Sequence, residues 1–163
     1  MIFFEPLTKS HDVESFRSGS AYLDHYLKNE ALAEQEKDLA RSFVAIDSDS
    51  SASEILGYFT LKFSPQYVPS LIDDWLALGE LAYLARDEKW RGKGMGTALL
   101  LKAIYYFVEA SQYAGFPGIF LYATEEGTRL YESWGFTRVS PDRRSYFLSI
   151  EEARAIIHED RNG

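Results

Sequence analysis

The chain has 163 residues, 46% of them hydrophobic and 15% aromatic, enough to fill one core of ordinary domain size, and no apolar run approaches the roughly 20 residues needed to cross a bilayer. Its 25 acidic and 17 basic residues give a formal net charge of −8, which on average repels nucleic acid, because phosphate contacts supply most non-specific affinity there. Cysteine is absent, which excludes disulfides, thiolate nucleophiles and cysteine-based metal sites.

The N-terminus, Met1-Ile2-Phe3-Phe4-Glu5, lacks the basic flank and long apolar stretch of a signal peptide. A soluble, cytoplasmic protein without a membrane partner is therefore expected. His11, His25 and His158 are scattered and read as surface residues, so no metal site is expected.

In chain order, Ile2 to Pro6 reads as a short strand. Ser20 can cap a helix running to about Lys37, in which Leu23, Tyr26, Leu27 and Ala31 recur at helical spacing. Arg41 to Asp47 is a strand, followed by the polar turn Ser48 to Ser53. Ile55 to Phe63 is the next strand. Pro65 to Trp75, bracketed by Pro65 and Pro69, is expected to be irregular or briefly helical, with Tyr67 and Trp75 lining the entrance to a binding cleft. Ala77 to Ala85 is apolar except for Glu80, as in a central strand buried on both faces. Gly94 to Tyr113 reads as a long apolar helix, broken by Gly115-Phe116-Pro117-Gly118. Ile119 to Ala123 is a strand and Glu125 to Trp134 a helix ended by Gly135. Phe136 to Val139 and Ser145 to Ile150 form a hairpin, and Glu151 to His158 a last helix. No repeat or long linker interrupts this order, which predicts a single mixed α/β domain, residues 1–163, around one twisted sheet.

The segment from Leu84 to Thr97 joins an apolar strand to an apolar helix, and glycines at 92, 94 and 96 let its backbone turn sharply and approach a ligand. The helix that follows presents unpaired N–H groups and the positive end of its dipole. Together these form an anion site suited to phosphate, with Arg91 and Lys93 beside it. A dinucleotide fold calls for Gly-x-Gly-x-x-Gly near an early βα unit, whereas these glycines alternate and lie past the chain's midpoint. A P-loop calls for Gly-Lys followed by Ser or Thr, whereas Gly92-Lys93 is followed by Gly94.

Arg91, Gly94 and Gly96, with Tyr131 ahead of Gly135-Phe136 further on, resemble the two landmarks of the Gcn5-related N-acetyltransferase (GNAT) superfamily, in order and over nearly the whole chain. The resemblance implies an α/β (α+β) GNAT-type fold, with a central mixed, mostly antiparallel twisted sheet of about six or seven strands flanked by helices. It implies acetyl-CoA as cosubstrate and no metal. Its pantetheine would bond the backbone of Leu84, Ala85 and Arg86, and its pyrophosphate the N–H groups of Arg91, Gly92, Lys93, Gly94, Met95, Gly96 and Thr97. Tyr131 falls where the family often places its general acid.

Glu80 is the one acidic residue inside Leu76 to Ala85, and a carboxylate there costs free energy unless it has partners or faces a cleft. Its position also resembles that of the general base in histone-type members, acting directly or through water. The other reading is a glutamate paired with a neighbouring arginine or exposed at the strand's start. Thr124 stands where the family often has asparagine near the pantetheine arm, and its hydroxyl can still hydrogen-bond. Gly127 replaces a common alanine and should weaken its helix slightly.

Phe16-Arg17-Ser18-Gly19, Leu23-Asp24-His25-Tyr26-Leu27, Arg41-Ser42-Phe43-Val44 and Gly57-Tyr58-Phe59 further resemble a narrower branch, the toxins that acetylate aminoacyl-tRNA, with Ser18 in place of that branch's cysteine. A tRNA modifier needs a basic groove, and the basic clusters here are small, such as Arg138 with Arg143-Arg144. The acceptor expected from the charge is therefore a primary amine of a small molecule or protein, with nucleic acid disfavoured. Aminoacyl-tRNA is the alternative, bringing a cognate antitoxin with it, and a non-catalytic acetyl-CoA-binding module is a second alternative. A homodimer through the aromatic-rich C-terminal hairpin is left open.

Overall fold

The computed structural model describes residues 1–71 and 73–162. Seven strands form one sheet in the order β1-β2-β3-β4-β5-β7-β6: β1 Ile2–Pro6, β2 Arg41–Asp47, β3 Gly57–Tyr67, β4 Trp75–Arg86, β5 Gly118–Tyr122, β6 Thr137–Arg138 and β7 Ser145–Ser149. The pairs β1–β2, β2–β3, β5–β7 and β6–β7 are antiparallel, and β4–β5 is parallel. Among the described residues five α-helices flank the sheet: α1 Ala21–Asn29, α2 Ala31–Glu36, α3 Met95–Ala110, α4 Thr128–Ser133 and α5 Ile150–Asn162. Among the described residues, no helix is long and apolar enough to cross a membrane.

The chain divides into two compact units: Met1–Lys62 with Tyr83–Leu100, and Phe63–Ala82 with the described residues from Leu101 onward. In the first unit, alternation along β2 turns Val44 and Ile46 toward Tyr26 and Leu27 of α1 and Ala31 of α2, and Leu7, Phe16, Tyr58 and Ala85 complete that core. Each of the larger aliphatic or aromatic side chains among them contributes roughly 1.5–3 kcal/mol when fully buried. In the second unit Leu78, Phe120, Phe147 and Val68 form a core with Leu76 and Val139. On the other side of β4, a side chain at Gly79 would lie 2.7 Å from the Phe107 ring, so only glycine lets α3 approach this closely.

Several elements differ from the sequence-based expectation, each for a local reason. The single helix from Ser20 to Lys37 is two, broken at Glu30 (φ −127°, ψ −35°), and the break leaves Ala31 fully buried at the start of α2. The Ser20 cap itself forms, accepting the Leu23 N–H at 3.3 Å. β3 begins later than Ile55 and runs through Pro65 to Tyr67. Its register with β2 ends at Arg41↔Leu61, so Pro65 has no β2 residue opposite, and proline is tolerated at such an edge. The rest of the segment to Trp75 includes Ile72, which lies outside the described residues. β4 is longer than expected and is not buried on both faces: Ala77 is exposed, and Glu80, Ala82 and Leu84 are half-buried. α3 stops at Ala110, giving way to turns in which Tyr113 N–H bonds the Ala110 carbonyl at 3.0 Å.

His11 is buried, at 6% exposure, rather than a surface residue. Its Nδ1 accepts the Thr8 N–H at 3.0 Å, so Nε2 carries the proton donated to Glu5 Oε1 at 2.6 Å. His25 and His158 are exposed as expected.

Candidate functional site

The first unit holds the anion loop. After β4, Asp87 caps a single 3-10 turn, Glu88–Trp90, through its Oδ1 and the Lys89 N–H at 3.0 Å. Gly92 and Gly94 have φ of +72° and +77°, left-handed conformations that favour glycine, and nothing lies within 4 Å of where a Cβ would stand at either. The chain then enters α3. The Ala98 N–H bonds the Gly94 carbonyl at 3.1 Å, and helix geometry leaves the N–H groups of Met95, Gly96 and Thr97 without an internal acceptor. These donors and the dipole of a 16-residue helix open onto the space kept clear by the glycines. Arg91 and Lys93 are exposed beside them, the Lys93 Nζ resting 5.2 Å from the centroid of the Trp90 ring. This cradle fits a diphosphate, which needs N–H donors and room for close approach more than a fixed set of basic side chains.

Leading into the loop, β4 offers an open backbone edge. It pairs with β5 only at Gly79↔Ile119 and Glu80↔Phe120. Among the described residues Leu81 to Arg86 have no β5 partner in that register, and since the Ala85 carbonyl and the Asp87 N–H turn toward the Gly57 end of β3, Leu84 and Arg86 aim their backbone groups the other way. Their side chains do other work: Ala85 is buried in the core, while Leu84 and Arg86 are half-buried.

The second unit holds Glu80, Thr124 and Tyr131. Leu76, Leu78 and Glu80 share one parity along β4, and the first two enter the core, so Glu80 follows directly on an apolar face. Glu80 is half-buried and Oε1 accepts from Gln66 Nε2 at 3.4 Å. Among the described residues no lysine or arginine pairs with it, which removes the structural ion-pair reading.

Tyr131, on α4, is 7% exposed and meets Phe136 edge-on, with centroids 5.7 Å apart. Its hydroxyl bonds no described residue, yet no sealed polar side-chain atom lacks a partner among the described residues. The hydroxyl is therefore the wet end of a buried ring. Burial pushes its ionisation above the usual tyrosine range, which keeps the phenol protonated. Thr124 is exposed, and its Oγ1 accepts the Gly127 N–H at 3.1 Å, leaving the O–H free to donate. Gly127 is the residue before α4 rather than inside it, so the expected helix weakening does not apply. A Cβ there would stand 3.1 Å from Thr124 Oγ1 and 3.2 Å from the Tyr131 ring.

Two functional contacts escape the sequence reading. The Asp87 carboxylate also accepts the Arg17 N–H at 3.1 Å, tying the N-terminal segment to the loop. A capping residue ahead of Glu88-Lys89-Trp90 was the available signal. Ser18, the cysteine replacement, donates its hydroxyl to Asp24 Oδ1 at 2.6 Å and accepts the Ser20 N–H at 3.1 Å. It thereby links residues 16–19 to residues 23–27.

The chain is similar to known proteins over most of its length. The family model described as the acetyltransferase (GNAT) domain matches residues 38–138. A tRNA-acetylating toxin of Mycobacterium tuberculosis (strain ATCC 25618 / H37Rv) is 30% identical over 159 residues, covering 93% of each chain. The toxin AtaT complexed with acetyl-methionyl-tRNAfMet superposes with a TM-score of 0.85 at 22% identity, over 96% of this chain and 99% of that one. A mutant of AtaT bound to the C-terminus of the antitoxin AtaR and acetyl-CoA gives 0.83 at 22% identity, over 97% and 99%. At these identities the two structures establish the fold.

Proposed function

The chain belongs to the GNAT acetyltransferase family, in the branch that includes tRNA-acetylating toxins, and from that premise we propose that it transfers the acetyl group of acetyl-CoA to the free amine of an aminoacyl-tRNA. Family membership makes it an acetyl-CoA-dependent acetyltransferase. The acceptor is the inferred part, and it rests on the 30% identity to a tRNA-acetylating toxin across 93% of both chains.

This reading departs from the small-molecule or protein amine expected from the net charge. Net charge sums the whole surface, whereas phosphate contacts need only a local excess. Arg138, Arg143 and Arg144 are exposed around the β6–β7 hairpin, and among the described residues none forms an ion pair with a carboxylate. Backbone contacts hold two of them: Arg138 Nε donates to the Ser140 and Arg143 carbonyls, and Arg144 Nε to that of Ala123. An antitoxin protein is the matching regulatory partner.

Acetyl-CoA supplies the activated thioester. In the proposed division of labour, the N–H groups of Gly92, Gly94, Met95, Gly96 and Thr97 meet its pyrophosphate, while those of Arg91 and Lys93 turn inward to the Glu88 and Trp90 carbonyls. The open edge of Leu84, Ala85 and Arg86 meets its pantetheine, with the Thr124 hydroxyl available to the same arm. Glu80 takes a proton from the acceptor ammonium, directly or through water. The amine nitrogen bonds the carbonyl carbon, the carbon–sulfur bond breaks as the Tyr131 hydroxyl gives its proton to the departing sulfur, and the second proton shed by the nitrogen as the amide forms returns Tyr131 to the phenol. Its burial suits that role, because a proton donor must be protonated at working pH.

The test is to incubate the chain with acetyl-CoA and, separately, charged tRNAs, small amines and peptides, following CoA release and the acetylated product. Transfer to the aminoacyl group supports the reading. Transfer confined to small amines or peptides overturns it.

A further inference from the structure

Five aromatic rings run outward through the first unit. Phe16 meets Tyr58 edge-on at 5.6 Å, Tyr58 stacks with Tyr26 at 6.5 Å, Tyr26 stacks on Tyr83 at 3.6 Å with the rings 10° apart, and Tyr83 lies beside Tyr22 at 5.6 Å and 35°. Phe16, Tyr58 and Tyr26 are buried, Tyr83 is half-buried, and Tyr22 is 67% exposed. Tyr22 and Tyr26 are four residues apart on α1, so one helix face carries both. The Tyr22 hydroxyl donates to that of Tyr83 at 3.4 Å. The outermost ring is thus ordered by the column behind it while its surface stays open to solvent. Pre-ordering an exposed ring in this way lowers the entropy cost of stacking a flat partner on it.

The column's place in the chain gives it a use. Tyr83 directly precedes Leu84, Ala85 and Arg86 on β4. With the pyrophosphate at Arg91 to Thr97, a pantetheine arm on that edge runs back from Arg86 toward Leu84. Its reactive end is therefore the end nearest Tyr83, where the acceptor must arrive. We infer that Tyr22, held by Tyr83, is the surface on which a nucleobase of the acceptor stacks, at or next to the nucleoside that carries the aminoacyl ester. This rests on the aminoacyl-tRNA reading. Base–aromatic stacking suits the unpaired end of an RNA, where bases are free to splay out.

The test compares kcat/KM for a charged tRNA with kcat/KM for the methyl ester of the same amino acid, which has the amine and side chain but no nucleobase. Loss of a stacking ring predicts that Tyr22→Ala lowers this ratio about tenfold or more, through KM for the tRNA, while Tyr22→Phe and Tyr22→Trp retain it. The exposure of Tyr22 makes the variants compatible with folding, which a thermal melt checks. An unchanged ratio in Tyr22→Ala overturns the inference, as does an equal loss in Tyr22→Phe, which would assign the effect to the hydroxyl. Wild-type protein that acetylates the ester and no charged tRNA overturns instead the acceptor reading beneath it.

Discussion

Asp87 holds the backbone N–H of Arg17 at 3.1 Å across 70 positions of sequence. Its other oxygen accepts the Lys89 N–H, and the Glu88 N–H returns a bond to the Arg17 carbonyl at 2.8 Å. One carboxylate, 6% exposed, therefore ties the N-terminal segment to the turn that sets the anion loop. Asp87→Ala leaves these donors without their charged acceptor and should cost about 1.5–3 kcal/mol of stability. It should also weaken acetyl-CoA binding. Denaturant unfolding with an unmoved midpoint would show that the tie contributes nothing.

Gly94→Asp should reduce acetyl-CoA affinity by more than roughly tenfold, because it puts a carboxylate at the positive end of α3 where the pyrophosphate is proposed to sit. The space around Gly94 is clear of other atoms of the chain, so lost affinity would not come from internal clash. Gly94→Ala separates the strain of a positive φ from the added charge and should be the milder variant. Calorimetric titration giving Gly94→Asp the wild-type affinity would remove the loop from the cofactor site.

Tyr131→Phe should lower kcat by about 10²- to 10⁴-fold with little change in acetyl-CoA affinity. The hydroxyl bonds no described residue, so its removal should barely move the melting temperature. A variant with normal turnover would make Tyr131 a packing residue against Phe136.

Glu80→Gln should depress the rate most at the low end of the pH range, where unprotonated amine is scarcest. Glutamine can keep the contact with Gln66, which protects the fold in this comparison. A pH–rate profile of unaltered shape would take Glu80 out of the mechanism.

Tyr26, Tyr58, Tyr83 and Tyr131 are all held above the ordinary tyrosine range, chiefly by burial. A group whose folded-state value is raised adds stability that is fully present below its unfolded value, about 10 for tyrosine, and lost as pH rises toward the folded one. The melting temperature should therefore fall above about pH 10, together with the appearance of phenolate absorbance. Normal titration of all eleven tyrosines near 10 in a protein that remains folded would contradict the burial.

The sequence was most informative where covalent and local rules act alone. Strands β1 and β2 have the expected bounds, Ile2–Pro6 and Arg41–Asp47, because apolar runs there end at proline or at a polar turn. The glycines of the anion loop were legible because positive φ leaves few other choices. The break at Glu30 was not, since neither proline nor glycine marks it and it answers to the burial of Ala31. The extent of β3 was hidden because Pro65 is forbidden only where a neighbouring strand needs its N–H. The aromatic column was invisible for a different reason: its five rings come from four separate segments between Phe16 and Tyr83, and periodicity sees one segment at a time.

The early parting of β4 from β5 also bears on how such an enzyme can be lost. On the proposed reading, the donor's arm is gripped by amides and carbonyls that nearly every amino acid carries alike. Most codon changes at the half-buried Leu84 or Arg86 would thus leave that grip in place. Proline, which lacks the N–H, would be the exception. Inactivating alleles should therefore gather at the glycines, Tyr131 and Glu80, and be sparse along the strand on which the arm lies.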